Sequence, residues 1–379
     1  MPCHKVTDDV NLPDSVCRDT DEEAVLAVLR IDLRPGKARR SDQAGDAEVA
    51  HGFTQAGATG GMTSDKSPSH QTNNGDKALH KPEHMWQQIH WRLMPQTPVG
   101  RAIVSATQRL DDAGSSTPNL DAQVILAHVL QVERSWLFAH YDYELTQDEA
   151  ERYSDAVARR AAAEPVAYIV GKKEFYGLEL LVDRRVLAPR PETEMLVDAV
   201  LDWIERRPGR AVTVADIGTG SGAIALAVAA NCPDVTVYAT DVSQEALTVA
   251  ASNIARLDAR DQVRLLQGDL LASLPEKVDI IAANLPYIRS DDFPGLQADV
   301  RDYEPKLALE AGPEGLDLIE RLLAQLPAYL KPGGAAFLEI GHDQREAVLA
   351  LAERLLPGAH DVAVREDYHG RDRLLIIGF

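Results

Sequence analysis

Two short stretches carry residues whose types and spacing suit chemistry. The first, Asp216-Ile217-Gly218-Thr219-Gly220-Ser221-Gly222, sets alternate glycines behind an acid. Glycine permits a tight turn and lets backbone come close to a ligand. A dinucleotide fingerprint spaces its glycines Gly-x-Gly-x-x-Gly and seats a pyrophosphate on the following helix. Here the third glycine falls one residue early, which suits a ligand without phosphate. The second stretch is Asn284-Leu285-Pro286-Tyr287. An amide or aryl-amine nitrogen spreads its lone pair into the adjoining π-system and is a poor nucleophile. An Asn side-chain carbonyl and a nearby backbone carbonyl can accept both of its N–H bonds, polarise it and aim it for in-line displacement. Pro286 removes a competing donor and stiffens the loop, and the Tyr287 ring offers a flat group a face to pack on. No strong general base is needed, because the proton can leave after transfer. Taken alone, Asn and Pro also suit a plain strand-end turn.

Further acids sort the ligand. Asp241 ends the next predicted strand about twenty residues beyond the glycines, where a carboxylate can accept both ribose hydroxyls of a nucleoside. Gly268-Asp269-Leu270 ends the third strand, with Asp269 able to meet an adenine amine and Leu270 to cover the ring. Each acid by itself could be a helix cap or a solvated turn. Acids at the ends of three consecutive strands, with Asp216 where a dinucleotide site would seat pyrophosphate, point instead to a nucleoside bearing positive charge. That description fits S-adenosylmethionine, held by Asp216, Gly218, Thr219, Gly220, Ser221, Gly222, Asp241, Asp269 and Leu270. The candidate catalytic residues are then Asn284, Pro286 and Tyr287, beside the cofactor's methyl group.

The elements that must position these residues follow from hydrophobic period. Strands are expected at Val212–Asp216, Val235–Thr240, Val263–Gln267, Asp279–Ala283, Ala335–Ile340, Val362–Val364 and Arg373–Ile377. Helices are expected at Ala223–Ala230, Gln244–Arg256, Leu316–Tyr329 and Arg345–Leu355. This alternation specifies an α/β fold with a mainly parallel, doubly wound, Rossmann-like sheet of the class I methyltransferase kind over 191–379, the tetrapeptide lying at its switch point. Residues 96–170 read as a small all-helical domain. Its apolar positions Ile103, Ala106 and Leu110, and the segments Leu120–Val132 and Leu145–Ala163, carry the period, and Thr146 with Glu149 resembles a capping box. Residues 171–190 read as a β-hairpin linker with Gly177 at its bend. Residues 1–95 read as a disordered extension: 39–81 is polar and aperiodic, and the run Ala24–Leu29 could form one isolated element. Met85 and Met94 could each begin a shorter chain.

Bulk properties bound the function. The net charge of −20 over 379 residues repels a phosphate backbone and tilts the substrate toward protein or small molecule, with no direct nucleic-acid binding expected. No apolar run reaches membrane-spanning length and the N-terminus lacks a signal-peptide layout, so a cytoplasmic protein is expected, with no membrane partner. The three cysteines, Cys3, Cys17 and Cys232, have no zinc spacing, and Cys232 is expected as a buried thiol at a helix end. Six of the eleven histidines (His4, His51, His70, His80, His84, His90) scatter irregularly through the first 95 residues, so no metal is expected.

From about Thr97 to Phe379 the sequence resembles the HemK/PrmC family of release-factor glutamine methyltransferases. The specific pieces are Val186-Leu-Ala-Pro-Arg-Pro-Glu-Thr-Glu194, Arg301-Asp-Tyr-Glu-Pro-Lys-Leu-Ala-Leu309, Leu338-Glu-Ile-Gly341 and Gly370-Arg-Asp-Arg373. The resemblance implies a substrate, the glutamine of the Gly-Gly-Gln tip of peptide chain release factors, methylated at its N5 amide to modulate translation termination. It implies that the helical domain docks the release factor. It also implies that Gly218 to Gly222, Asp241, Leu270 and Asn284 contact the cofactor, and that Asn284, Leu285, Pro286 and Tyr287 hold the glutamine, with Arg190 and Glu194 supporting the site from the hairpin side. The family usually has Asn-Pro-Pro-Tyr, whereas this chain has Leu285, and Asn-Leu-Pro-Tyr is also familiar from rRNA adenine dimethyltransferases. Two alternatives therefore stand beside the main reading: an adenine-N6 methyltransferase acting on RNA or DNA, and a non-catalytic nucleoside-binding scaffold.

Overall fold

The computed structural model describes residues 97–379; the extension expected at 1–95, with its apolar run and its histidines, lies outside the described residues. The chain enters through β1 (Thr97–Pro98) into α1 (Val99–Asp112), where Ala102, Ile103, Ala106 and Leu110 recur on one face and are buried. Helix α2 (Pro118–Leu130) starts on a proline, whose fixed φ suits a first turn, and ends at Gln131 in the left-handed region (φ 56°). These two signals place the helix two residues upstream of the expected 120–132. A short α3 (Arg134–Ala139), absent from the periodic reading, and β2 (Glu144–Leu145), paired with β1, precede α4 (Gln147–Ala161). The capping box holds α4 in place: Thr146 Oγ1 accepts from Glu149 N at 3.3 Å and Glu149 Oε2 accepts from Thr146 N at 2.8 Å. Helix α5 (Val166–Val170) closes a core that includes Val99, Leu110, Leu126, Leu137 and Tyr153.

A hairpin follows, β3 (Lys172–Phe175) and β4 (Leu178–Leu181), joined by Tyr176 and Gly177 with φ of 53° and 75°. Two consecutive positive φ angles make the tight turn whose twist matches the flanking strands. The reading above leaves out the next helix, α6 (Glu194–Glu205), although Leu196, Val197, Val200 and Trp203 carry its period and are buried.

The remaining elements are β5 (Val212–Ile217), α7 (Ala223–Asn231), β6 (Val235–Asp241), α8 (Gln244–Arg256), β7 (Val263–Gln267), β8 (Val278–Ala283), α9 (Ala298–Arg301), α10 (Asp317–Tyr329), β9 (Leu330–Glu339), α11 (Arg345–Leu355), β10 (His360–Glu366) and β11 (Asp372–Gly378). The seven strands of the sheet lie in the order β10-β11-β9-β8-β5-β6-β7. Pairs from β9 to β7 are parallel, and β11 runs antiparallel to β9 and β10. Every residue of β8 is buried, as a central strand covered on both faces requires. Strand β9 begins five residues before the expected Ala335 because Leu330 already pairs with Val278 across an irregularity in the ladder. Cys232 caps α7 and is half-buried. Among the described residues no helix is long and apolar enough to cross a membrane.

One fully buried polar side chain ties the hairpin to the sheet domain. Asn253 of α8 accepts from Leu181 N (2.7 Å) and donates to Leu181 O (3.0 Å) and to Ser221 O (2.9 Å) in the glycine loop. Replacing it with Leu strands one donor and two acceptors in a dry setting. Urea unfolding of Asn253→Leu is therefore expected to show a loss of about 2–4 kcal/mol; a change near zero would mean these bonds hold nothing.

Candidate active site

The glycine loop leaves β5 at its carboxyl end and is fixed from beneath. Gly218 N and Thr219 N both donate to Thr240 O at 2.9 Å, and Gly222 N donates to Thr219 O at 2.8 Å. Gly218, Gly220 and Gly222 all sit at positive φ, 72°, 57° and 84°. At Gly218 space adds to the requirement: a Cβ there would lie 3.1 Å from Leu285 Cδ2. That contact also places the tetrapeptide. Strands β5 and β8 pair with Ile217 opposite Ala283, so Gly218 and Asn284 leave the sheet side by side at the point where the connections diverge.

Asp216 is wholly buried. Its Oδ2 accepts from Thr219 Oγ1 (2.6 Å) and from Ala225 N (3.1 Å) at the start of α7, whereas Oδ1 has no partner. Burial pushes its carboxyl up to about 7. Asp241 spans the crevice: Oδ2 accepts from Gly220 N and Oδ1 from Ser243 N, both at 2.9 Å. Each of its oxygens keeps acceptor capacity, and burial raises its pKa. An orphaned carboxylate oxygen, a second carboxylate with spare lone pairs and a loop of glycines fit a cationic nucleoside such as S-adenosylmethionine.

The other acid takes a different place. Asp269 is about half exposed and forms an ion pair with Arg321 on α10, so its carboxylate is already engaged at the rim. Leu270 sits at φ 52° with its side chain buried beside Leu271 and Leu274. Two bonds join this turn to the carboxyl end of β6: Gly268 N donates to Asp241 O at 3.0 Å, and Thr240 Oγ1 donates to Leu270 O at 3.4 Å.

Around the tetrapeptide the structure assembles a network that the sequence reading does not contain. Asn284 Nδ2 donates to Thr193 Oγ1 (3.0 Å), Thr193 Oγ1 donates to Glu339 Oε2 (2.6 Å), and Tyr287 OH donates to Glu339 Oε1 (3.3 Å). Asn284 Oδ1 accepts no hydrogen bond from the described residues. Glu339 is 3% exposed, and burial raises its pKa. Burial likewise raises the Tyr287 phenol, with the Glu339 charge adding to it, so Tyr287 stays protonated as a donor. The only hint of Thr193 and Glu339 in the sequence is their presence in the Pro-Glu-Thr-Glu and Leu-Glu-Ile-Gly pieces.

Leu285 belongs to the core under the loop at 5% exposure, so its side chain is withdrawn from any substrate and only its backbone remains available. Pro286 is half-buried beside it. Beyond the tetrapeptide, Gln344 Nε2 donates to Tyr287 O (3.1 Å) and to Gly315 O (3.0 Å), fixing the following segment. Arg190 grips buried Glu304 with two bonds, 2.8 and 2.6 Å, and so faces the segment after the tetrapeptide. Glu194 accepts from Tyr176 N (2.9 Å) and serves the hairpin turn. Neither Arg190 nor Glu194 bonds to residues 284–287.

With this geometry in hand, the chain can be compared with known proteins. Residues 101–171 match the PrmC N-terminal domain family, and residues 193–294 match the methyltransferase small domain family. Over 277 residues the chain is 45% identical to the release factor glutamine methyltransferase of Moorella thermoacetica, covering 73% of this chain and 96% of that protein. The chain belongs to the release factor glutamine methyltransferase family. Enzymes of the same name from Cereibacter sphaeroides (41% identical over 274 residues, 72% of this chain and 96% of theirs) and Clostridium acetobutylicum (37% over 278 residues, 73% and 96%) are similar along the same span.

Asp216 yields a pH prediction. An unfolded Asp carboxyl titrates at about 4, and the folded one at about 7. The folded chain therefore holds this proton more tightly, and the group's contribution to stability, complete at low pH, declines as pH rises between those values. A cation against Oδ1 favours the ionised form. The thermal shift produced by S-adenosylmethionine is expected to be larger at pH 8 than at pH 6, and Asp216→Asn should flatten that difference. An identical shift at both pH values in the unaltered protein would remove Asp216 from the cation's surroundings.

Proposed function

We propose that this protein transfers a methyl group from S-adenosylmethionine to the side-chain amide nitrogen (N5) of the Gly-Gly-Gln glutamine of a peptide chain release factor. The observation that carries the reading is the contact of the Asn284–Tyr287 stretch with Gly218, which sets a free amide carbonyl beside the crevice whose glycine loop Asp216 and Asp241 brace. The family to which the chain belongs supports it.

Bound in that crevice, S-adenosylmethionine supplies a methyl group activated by an adjacent sulfonium. The rest is the work of the chain. Asn284 Oδ1 and a backbone carbonyl of the loop accept the two N–H bonds of the glutamine amide. This draws the lone pair out of conjugation and fixes the direction of attack. The nitrogen gains positive charge as its new bond forms, and two oxygen dipoles already pointing at it stabilise that charge without rearranging. The proton then leaves to solvent. Tyr287, its hydroxyl bonded to Glu339, offers the flat amide a ring face. Pro286 has no N–H to compete for the amide oxygen.

The helical unit would dock the body of the release factor, and the cytoplasm, where translation ends, is the compartment that this activity requires. The experiment is incubation with methyl-labelled S-adenosylmethionine and release factor, followed by peptide mapping. Label on the glutamine is expected; label on RNA with none on protein would transfer the reading to an adenine-N6 enzyme. Asn284→Ala is expected to lower kcat by about 10²–10³-fold while leaving cofactor affinity by calorimetry largely intact. Near-normal turnover by this variant would refute the polarising role.

A further inference from the structure

We infer that Thr193 and Glu339 are positioning residues, a donor relay that fixes which way the Asn284 amide faces. The inference rests on the proposed role of Asn284 Oδ1 as acceptor. An Asn side chain has two ends of nearly equal shape, one that accepts and one that donates. If the amide turned over, its NH₂ group would face the substrate nitrogen and repel both N–H bonds. Something must hold the orientation.

The bonds found here do so by a chain of one-way donations. Both Glu339 oxygens accept here, Oε2 from Thr193 and Oε1 from Tyr287, and a carboxyl oxygen that bears no proton can only accept. With Glu339 at its end, the short contact from Thr193 Oγ1 (2.6 Å) must carry the Thr193 hydrogen toward Glu339. The Thr193 oxygen then presents only lone pairs to Asn284, so the Asn284 group facing it at 3.0 Å must be the NH₂. Oδ1 is left for the ligand side. Tyr287 OH fills the other oxygen of Glu339 at 3.3 Å and leaves its carboxylate two hydroxyl donors. The same chain strengthens Oδ1 as an acceptor: donation from Nδ2 toward a negative terminus draws charge through the amide onto its oxygen, as coupled hydrogen bonds in a low-dielectric site do.

Three separate elements bring the members together. Thr193 ends the 3-10 turn at Pro191–Thr193, Glu339 is the last residue of β9, and Asn284 follows β8. Strands β8 and β9 pair with Ala283 opposite Leu338, so Asn284 and Glu339 leave adjacent strands. Thr193 and Glu339 are 4% and 3% exposed, which rules out a surface role for either hydroxyl or carboxylate.

The test uses the full chain with Thr193→Val, Thr193→Ser and Glu339→Gln. Valine keeps the shape of threonine but ends the relay, and kcat is expected to fall about 10- to 100-fold, the effect of losing one charge-assisted hydrogen bond. KM for the release factor and affinity for S-adenosylmethionine should move little. Serine restores the hydroxyl and should return kcat to within a few-fold of the unaltered enzyme. Glu339→Gln puts an amide donor within reach of Thr193, lets the chain run in either direction and should lie between the two. Turnover by Thr193→Val equal to the unaltered protein overturns the relay, as does a loss that serine does not restore.

A second readout does not depend on activity. In ¹⁵N-edited spectra of the side-chain amides, the Asn284 resonance, assigned by its disappearance in Asn284→Asp, should shift in Thr193→Val and return in Thr193→Ser. An unmoved resonance would sink the relay even if no release factor were methylated. Absence of methylation by the unaltered protein with the shift observed would instead leave the relay standing and remove the proposed substrate.

Discussion

Ile217 and Ala283 face each other across the ladder between β5 and β8, and the loops that follow them start one strand spacing apart, about 4.8 Å. A Cβ on Gly218 would press on Leu285 Cδ2 at 3.1 Å, and Leu285 is apolar and buried there. A cofactor crevice and a substrate loop could each be built on many strands. What makes them one site is this register, which the parallel order β8-β5-β6 supplies and a slip by one residue would destroy, since it would turn Leu285 outward.

The two ends of the sheet treat their buried acids differently. At the amino ends, Asp279 on β8 is fully compensated. Thr213 gives it a backbone bond (2.9 Å) and a hydroxyl bond (2.8 Å), and Lys331 an ion pair (2.9 Å). At the carboxyl ends Asp216 and Glu339 are equally buried, yet among the described residues neither has a cation within ion-pair distance. Burial raises the pKa of both, which means that each carries a desolvation cost the fold leaves uncompensated. Unpaired buried carboxylates are costly in a domain and are found where a ligand or a directed hydrogen-bond chain uses the charge. The first lies beneath the glycine loop, bonded to Thr219 and to the start of α7, and the second terminates the chain of donors from Asn284 and Tyr287.

Much of this was legible in the residues. Period and punctuation located every strand of the seven-stranded sheet, six to within two residues and β9 to within five at its start, and the central strands buried on both faces announce themselves as runs of Val, Ile and Ala. Helix α8 and strand β7 fall at the expected bounds, each having clear turn signals on both sides. Helix α6 escaped because its period follows directly on the Pro-Glu-Thr-Glu piece, which drew the reading toward chemistry. The tetrapeptide and the glycine loop are contiguous, so their chemistry can be argued from spacing. Thr193 and Glu339 cannot, since their bond joins residues 146 positions apart and neither type is rare. Asp269 shows the converse. Its place at a strand end is legible, whereas its ion pair with Arg321, 52 residues later, has no local pattern to reveal it.

The helical unit and the reaction centre share a frame. Tyr303, in the segment that follows the tetrapeptide, donates from its hydroxyl to Ala162 O at 2.7 Å, just past α4. Glu304 next to it is held by Arg190, and the same segment is joined at Ile288 to the chain just past the tetrapeptide, where N donates to Leu309 O and O accepts from Ala311 N, both 2.9 Å. From the other side, Asn253 fastens the hairpin to Ser221 within the glycine loop. A protein that grips the helices and inserts a loop into the crevice must satisfy both contacts at once, and a mismatch of about 1 Å at the reacting atoms is enough to cost two orders of magnitude in rate. Flexible attachment would make the docking contact worth little at the centre. Fastening through directional bonds would turn contact on the helices into alignment at Asn284, so that affinity gained far from the glutamine could be spent on orienting it.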